Sequence, residues 1–427
     1  MRVAHFVQRY PPALGGSEAY FARLSRYFAA GGYAVSVFTT NAVDLEAFWS
    51  YRGRRLKPGI RVEDGVEVRR YGVWNCPGQR QILRVLSQFP HRPWQRLTLS
   101  CNPLAWKMWY DAVHADLVFD LVHASAFPYG WPLACGLRLA RRLNVPFLLT
   151  PFLHLGDPNQ PHDRTRRAYT SPALMTFIEA ADRVFVQTDV ERDALLGRGV
   201  PPEKLVLLGM GVEPSECTGG DREAARQAWG VGPNEVVVGH LANNSVEKGS
   251  VDLLRAAGRC WQRGERFRLV LAGPEMPNFR TFWQHYGSGQ HVDRLGVLTD
   301  QQKRDFFAGI DIFALPSRSD SFGLVFLEAW ANGVPNIGYR AGGVAGVLRH
   351  EVDGLLVRCG DVSDLAVAIQ RLVTSQTLRQ RYGEAGRARL ARDYCWKDKL
   401  ELVRQIYQAA IVGHKHPSAP MPRRGQT

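Results

Sequence analysis

The chain has 427 residues, a formal net charge of +14 and 45% hydrophobic residues. That length and composition fit a globular protein of two or three domains and exclude a disordered or collagen-like one. No apolar run is long enough for a membrane-spanning helix, and seven scattered cysteines without a CxxC or Cys/His cluster exclude a disulfide framework and a structural zinc.

The opening MRVAHFVQRYPP reads as a first strand and not as a signal peptide, which points to the cytoplasm. A strand at 3–7 is followed by a turn at Gly15 and Gly16, an N-cap at Ser17 and helical spacing over 19–29. Gly31 and Gly32 stop that helix, and 35–39 is the second strand. The unit is Rossmann-like, but its glycines do not follow GxGxxG, so no dinucleotide cofactor is expected. Further strands are predicted at 66–71, 117–123, 146–150, 183–188 and 205–209, with a helix at 190–196. His154 lies just past a strand end, the edge at which open α/β sheets place ligands. Arg164, Arg166 and Arg167 follow it, placed to meet an anionic acceptor. MGVEPSECTGGD reads as a linker, which puts a domain boundary near 212.

Residues 1–212 carry +9 of the net charge. Between 71 and 110 the arginines alternate with Trp74, Phe89, Trp94, Trp106 and Trp109, a mixture suited to an anionic membrane surface. No nucleic-acid-binding motif accompanies the charge, so nucleic acid is not expected as a partner.

The second half resumes with a strand at 236–239, a loop carrying His240, Asn243, Asn244, Lys248 and Gly249, and a helix over 250–257. Strands follow at 268–271 and 292–298. The most informative stretch is IDIFALPSRSDSFGLVFLEAWANG, residues 310–333. It reads as a buried strand at 310–315 ended by Pro316, an oxygen-rich loop, and an apolar helix over 322–332 stopped by Gly333. Asp320 sits in the loop and Glu328 a little over two turns into the helix. The amides of Ser321, Phe322 and Gly323 form the positive helix end, a seat for phosphate that Gly323 lets a ligand approach closely. Phosphate flanked by carboxylates that accept from hydroxyl pairs suggests a nucleotide sugar. Beyond it come a glycine turn at 342–343, a strand at 354–357, an amphipathic stripe over 365–372 and a last helix over 396–410. The Pro-rich tail from 413 is expected to be disordered.

The run DSFGLVFLEAWANGVP resembles the glutamate-x7-glutamate motif of family 4 glycosyltransferases, retaining enzymes of the GT-B fold. The resemblance implies an α/β chain of two Rossmann-like parallel-sheet domains facing across a cleft. Residues 1–212 would form the acceptor domain, completed by 396–412 crossing back; 213–395 would form the donor domain, and 413–427 a disordered tail. Asp320 stands for the family's usual first glutamate and, with nearby amides and Leu324, would contact the transferred sugar; Glu328 would hold the ribose. Lys248 matches the lysine of the donor-phosphate segment. His240 occupies a position where an arginine is usual, and Asn243 and Asn244 offer other donors. Gly15 and Gly16 resemble the loop that packs near the diphosphate, and His154 matches a histidine facing the sugar. Gly346 stands where the family commonly has a glutamate.

The implied activity is metal-independent, retaining transfer of a hexose from a UDP- or GDP-linked sugar to an acceptor hydroxyl. The setting is bacterial polysaccharide, glycolipid or glycoconjugate synthesis in the cytoplasm, at the inner face of the membrane. The acceptor is a glycan, a glycolipid or a small molecule; no Asp-x-Asp pair, no metal site and no cofactor are expected. Two other readings stay open: a nucleotide-sugar epimerase on the same fold, and a non-catalytic lipid- or glycan-binding protein that retains it.

Overall fold

The computed structural model describes residues 1–415. Two sheets organise it. The first contains β1 (Arg2–Phe6), β2 (Ala34–Thr40), β3 (Gly59–Glu63), β4 (Val66–Tyr71), β5 (Leu121–Ala124), β6 (Phe147–Leu149), β7 (Arg183–Val186) and β8 (Leu205–Leu207), in the order β3-β4-β2-β1-β5-β6-β7-β8. The second contains β9 (Val237–Leu241), β10 (Arg268–Ala272), β11 (Val292–Gly296), β12 (Ile312–Leu315), β13 (Asn336–Tyr339) and β14 (Gly354–Val357), in the order β11-β10-β9-β12-β13-β14. Every pairing is parallel except β3 with β4. The central strands are buried throughout because helices cover both faces, as for Leu121–Ala124 and Ile312–Leu315.

Several boundaries differ from the sequence reading. The helix Gly16–Ala30 is capped by Gly15, not Ser17; the Ser17 hydroxyl instead donates to Glu18 and accepts from Gln8. The strand expected at 236–239 runs on to Leu241 and takes His240 into the sheet. Ile310 is the C-cap of the helix Asp300–Gly309, so β12 begins two residues later than expected. The helix expected from 322 begins at Leu324, with Gly323 as its left-handed N-cap. The tail expected to be disordered from 413 is helical through Lys415; the rest of it, 416–427, lies outside the described residues. β3 and β13 were not anticipated, and neither was the helix Gln376–Asp393.

The last helix, Trp396–Lys415, leaves the second sheet and returns to the first. Its buried Tyr407 stacks on Phe28 and places its hydroxyl between His5 of β1 and His123 of β5. A hydrogen-bonded polar trio inside an apolar core fixes the helix in one register, since a slip would leave three buried polar groups unpaired. The lobes also touch directly. The Gly342 amide donates to the Gly156 carbonyl at 3.0 Å. Gly346 lies so close to Thr188, the N-cap of the helix Asp189–Leu196, that a Cβ there would sit 2.9 Å from the Thr188 Cβ. A glutamate at 346 therefore has no room.

Candidate active site in the cleft

In each sheet the strand order reverses beside the first strand of the lobe, at β1/β5 and at β9/β12. The loops leaving such a pair diverge and open a crevice at the carboxyl edge. Here the two crevices face one another around a cavity of about 550 Å³, within the range of small-molecule sites. The first lobe lines it with Gln8, Arg9, Gly15, Gly16, Tyr129 and His154, and the second with Asn243, Lys248, Asp320 to Val325 and Glu328. A larger recess of about 1030 Å³ continues from it past Lys303, Leu324 and Glu328.

Lys248 Nζ donates to Asp320 Oδ1 at 2.8 Å. Burial alone would raise the Asp320 carboxyl, but the ion pair and hydrogen bond from Lys248, with His154 and Ser317 adding to them, hold it below its ordinary value. The two loops are held together by close backbone contact. Gly249 (φ 73°) packs against the Pro316 carbonyl where a Cβ would come within 1.9 Å. Gly343 packs as tightly on the Ser321 carbonyl, and its amide donates to the Asp320 backbone carbonyl at 2.7 Å.

His154 spans the cleft: its Nδ1 donates to the Ser319 carbonyl at 3.1 Å, which leaves Nε2 with the lone pair. Burial, with Lys248 nearby, lowers the ring to about 4, so it is neutral. The His154 loop is braced from beneath by Glu191, whose buried carboxyl accepts from the Leu153 and Gln187 amides and is pushed up by burial to about 7. Arg166 braces it from the side, donating to the Leu155 and Asp157 carbonyls. Arg164 and Arg167 are exposed.

At the other end of the cavity Glu328 Oε1 accepts from Lys303 Nζ at 2.6 Å, while Oε2 is buried with no partner. A buried carboxylate oxygen without a donor is a strong acceptor waiting for one. Ser321, Phe322, Gly323 and Leu324 line the wall between Asp320 and Glu328, where the positive end of the helix Leu324–Ala331 lies.

Two expected donor contacts lie elsewhere. His240 is fully buried, its Nδ1 donating to the Ala314 carbonyl and its Nε2 accepting from the Ser250 hydroxyl. Burial lowers it to about 4, and the neutral ring staples β9 to β12 and to the helix Ser250–Gln262. Asn244 is also buried and spends its amide on the Ala272 and Gly273 carbonyls. Neither lines the cavity. Lys303 was missed, because nothing in its helix marks it as the partner of a carboxylate on a later one. Gln8 and Arg9 carried a usable signal, since they directly follow the first strand of a parallel sheet.

Two parallel-sheet lobes whose crevices face one another, with the last helix returning to the first, define the GT-B architecture. The chain belongs to family 4 of the glycosyltransferases. The profile described as Glycosyl transferase 4-like domain matches residues 15–211, and that of Glycosyl transferases group 1 matches 221–389. The D-inositol 3-phosphate glycosyltransferase of Actinosynnema mirum is 28% identical over 407 residues, 89% of this chain and 93% of that protein. The fold is that of sucrose-phosphate synthase from Thermosynechococcus elongatus, with a TM-score of 0.73, 21% identity and coverage of 97% of this chain and 100% of that one. It is also that of Anabaena HepE in complex with UDP-glucose, with a TM-score of 0.68, 17% identity and coverage of 96% and 100%. The chain is a glycosyltransferase.

Proposed function

We propose that the chain transfers a hexose from a UDP- or GDP-sugar to an acceptor hydroxyl with retention at the anomeric carbon and without a metal. Residues 1–212, with 396–412, act as the acceptor lobe and 213–395 as the donor lobe. The observation that carries this reading is the row Lys248, Asp320, helix end, Glu328 along one wall of one cavity. An ammonium and a helix end stabilise negative charge growing on a leaving diphosphate in place of a divalent cation. Asp320 and His154 Nε2 accept from sugar hydroxyls, and the unpartnered Glu328 oxygen accepts from the ribose.

Retention by same-side substitution fits the carboxylates. Glu18 is bound by Arg9, Gln8 and Ser17, Asp320 by Lys248 and Glu328 through Oε1 by Lys303, so each that lines the cavity is held by a cation, and the free Glu328 oxygen is assigned to the ribose. The acceptor proton then passes to the leaving phosphate oxygen. Closure of the lobes excludes the water that competes with the acceptor. The acceptor is a glycan, glycolipid or small molecule, met in the cytoplasm at the inner face of the membrane. A panel of UDP- and GDP-sugars, assayed for release of free nucleotide with and without acceptor, tests the reading. Nucleotide release with an anomerically retained product is expected, and Glu328→Ala weakens nucleotide binding. Release of an epimerised free sugar without acceptor, or no affinity for either nucleotide, overturns it.

A further inference from the structure

On the face of the first lobe, two short helices, Gln79–Leu86 and Arg92–Leu97, make a pair with an unusual surface. Gln79 and Leu83 turn inward and are buried. Ile82, Val85, Leu86 and Phe89 follow helical spacing on the outside, with Val85 65% and Phe89 66% exposed, and Trp94 stands beside them. Val85, Leu86, Phe89, His91 and Trp94 line an apolar groove of about 420 Å³. The shape is fixed: the Trp94 indole donates to the Leu86 carbonyl, and the Gln95 amide donates to Ser87 and Phe89.

Along the chain, the charge of this segment has one sign. Between Glu67 and Asp111 the chain has no carboxylate. Arg80, Arg84 and Arg92 are exposed and make no ion pair among the described residues. The pair is also tied to the cavity. The Cys101 thiol donates to the Pro128 carbonyl and Asn102 accepts from the Trp131 amide, on either side of the segment whose Tyr129 lines the first wall.

We propose that this helix pair is a docking platform for the headgroup–acyl boundary of an anionic lipid bilayer. Ile82, Val85, Leu86, Phe89 and Trp94 enter the boundary, and Arg80, Arg84 and Arg92 meet lipid phosphates. An exposed apolar stripe flanked by Arg80, Arg84 and Arg92 is the pattern of an interfacial helix. It holds the acceptor wall of the cavity beside the bilayer, so the acceptor class it selects is lipid-linked. The proposal deepens the membrane contact suggested above, and the vesicle binding that tests it needs neither donor nor acceptor.

The test is flotation of the full chain with phosphatidylcholine vesicles, with and without phosphatidylglycerol. Wild type is expected to float with the anionic vesicles and not with the neutral ones. Val85→Asp/Phe89→Asp is expected to abolish flotation. Arg80→Gln/Arg84→Gln is expected to weaken it roughly 30-fold, about fivefold for each cation. Circular dichroism and nucleotide-sugar hydrolysis should match wild type in both variants, since all four side chains are on the outer surface. The platform is overturned if wild type ignores anionic vesicles, or if the aspartate variant floats as well as wild type. It is also overturned if that variant turns a wild-type dimer into a monomer with no change in vesicle binding, which would make the patch a contact between copies. Vesicle binding that survives in a chain hydrolysing no nucleotide sugar supports the platform and overturns only the enzymatic reading.

Discussion

Replacing Lys248 by alanine removes the ammonium that sits between Asp320 and the space a diphosphate would occupy. Its Nζ is fixed 2.8 Å from Asp320 Oδ1, with the side chain 27% exposed. An ammonium carries three donors; Asp320 takes one and the others are free for phosphate oxygens. Two unit charges about 4 Å apart at an effective dielectric near 20 interact by about 4 kcal/mol. Only the charge that grows between ground state and transition state lowers the barrier. If that is roughly half a unit, Lys248 contributes about 2 kcal/mol, or about 30-fold in kcat. Its loss also leaves Asp320 uncompensated beside the diphosphate, which raises the donor KM. The assay is continuous nucleotide release with the sugar nucleotide found by the panel, with kcat and KM measured separately. Lys248→Arg should recover part of kcat. Lys248→Ala/Asp320→Asn should recover part of the donor KM by removing the stranded charge, a coupling that a double-mutant cycle measures. A kcat for Lys248→Ala within about twofold of wild type would refute the phosphate role.

Three further outcomes are expected. Gly346→Ala wedges Thr188 away from the second lobe; overpacking costs about 1–3 kcal/mol, so UDP or GDP affinity should fall at least about fivefold, and unchanged titrations would show that the lobes do not meet there when ligand is bound. Tyr407→Phe leaves His5 and His123 without their shared hydroxyl and should cost about 1–3 kcal/mol in urea unfolding, a cost absent if the returning helix contributes little to the first lobe. Stability should also fall on mild acidification. Burial lowers His5 to about 3 and His240 to about 4, against 6.5 in the unfolded chain. The unfolded chain therefore takes up protons as the pH drops through 6.5 while the folded one does not. Each of these rings, and His123 and His154, which burial lowers in the same way, should cost about 1.3 kcal/mol between roughly pH 7.5 and roughly pH 5.5. Glu191, held near 7 when folded, returns about 1.8 kcal/mol over the same window, so the net change is a loss, and a urea midpoint that is flat there would contradict the buried neutral rings.

How much could be read without coordinates depended on the range of the interaction. The strand, the Pro316 break, the oxygen-rich loop and Glu328 on its helix were legible because each is signalled within about twenty residues. The hairpin of β3 and β4 has a local signal too, in the turn pair Asp64 and Gly65, both with positive φ. His240 and Asn244 read as loop donors because the ladder register that carries His240 into β9 is set by pairing with β10 and β12, which no nearby residue announces.

Periodicity, glycine placement and the Asp320–Glu328 spacing were enough to specify two α/β halves and the wall on which a phosphate would rest, since propensities and helix ends act over a few residues. Which donors actually reach that wall was decided by distant segments. Lys303 comes to Glu328 from another helix, the Ser319 carbonyl of the second lobe orients His154 of the first, and Gly346 is small because Thr188 arrives from the other lobe. Those contacts depend on how packed elements share a fixed volume, and volume is not written in any one stretch of chain.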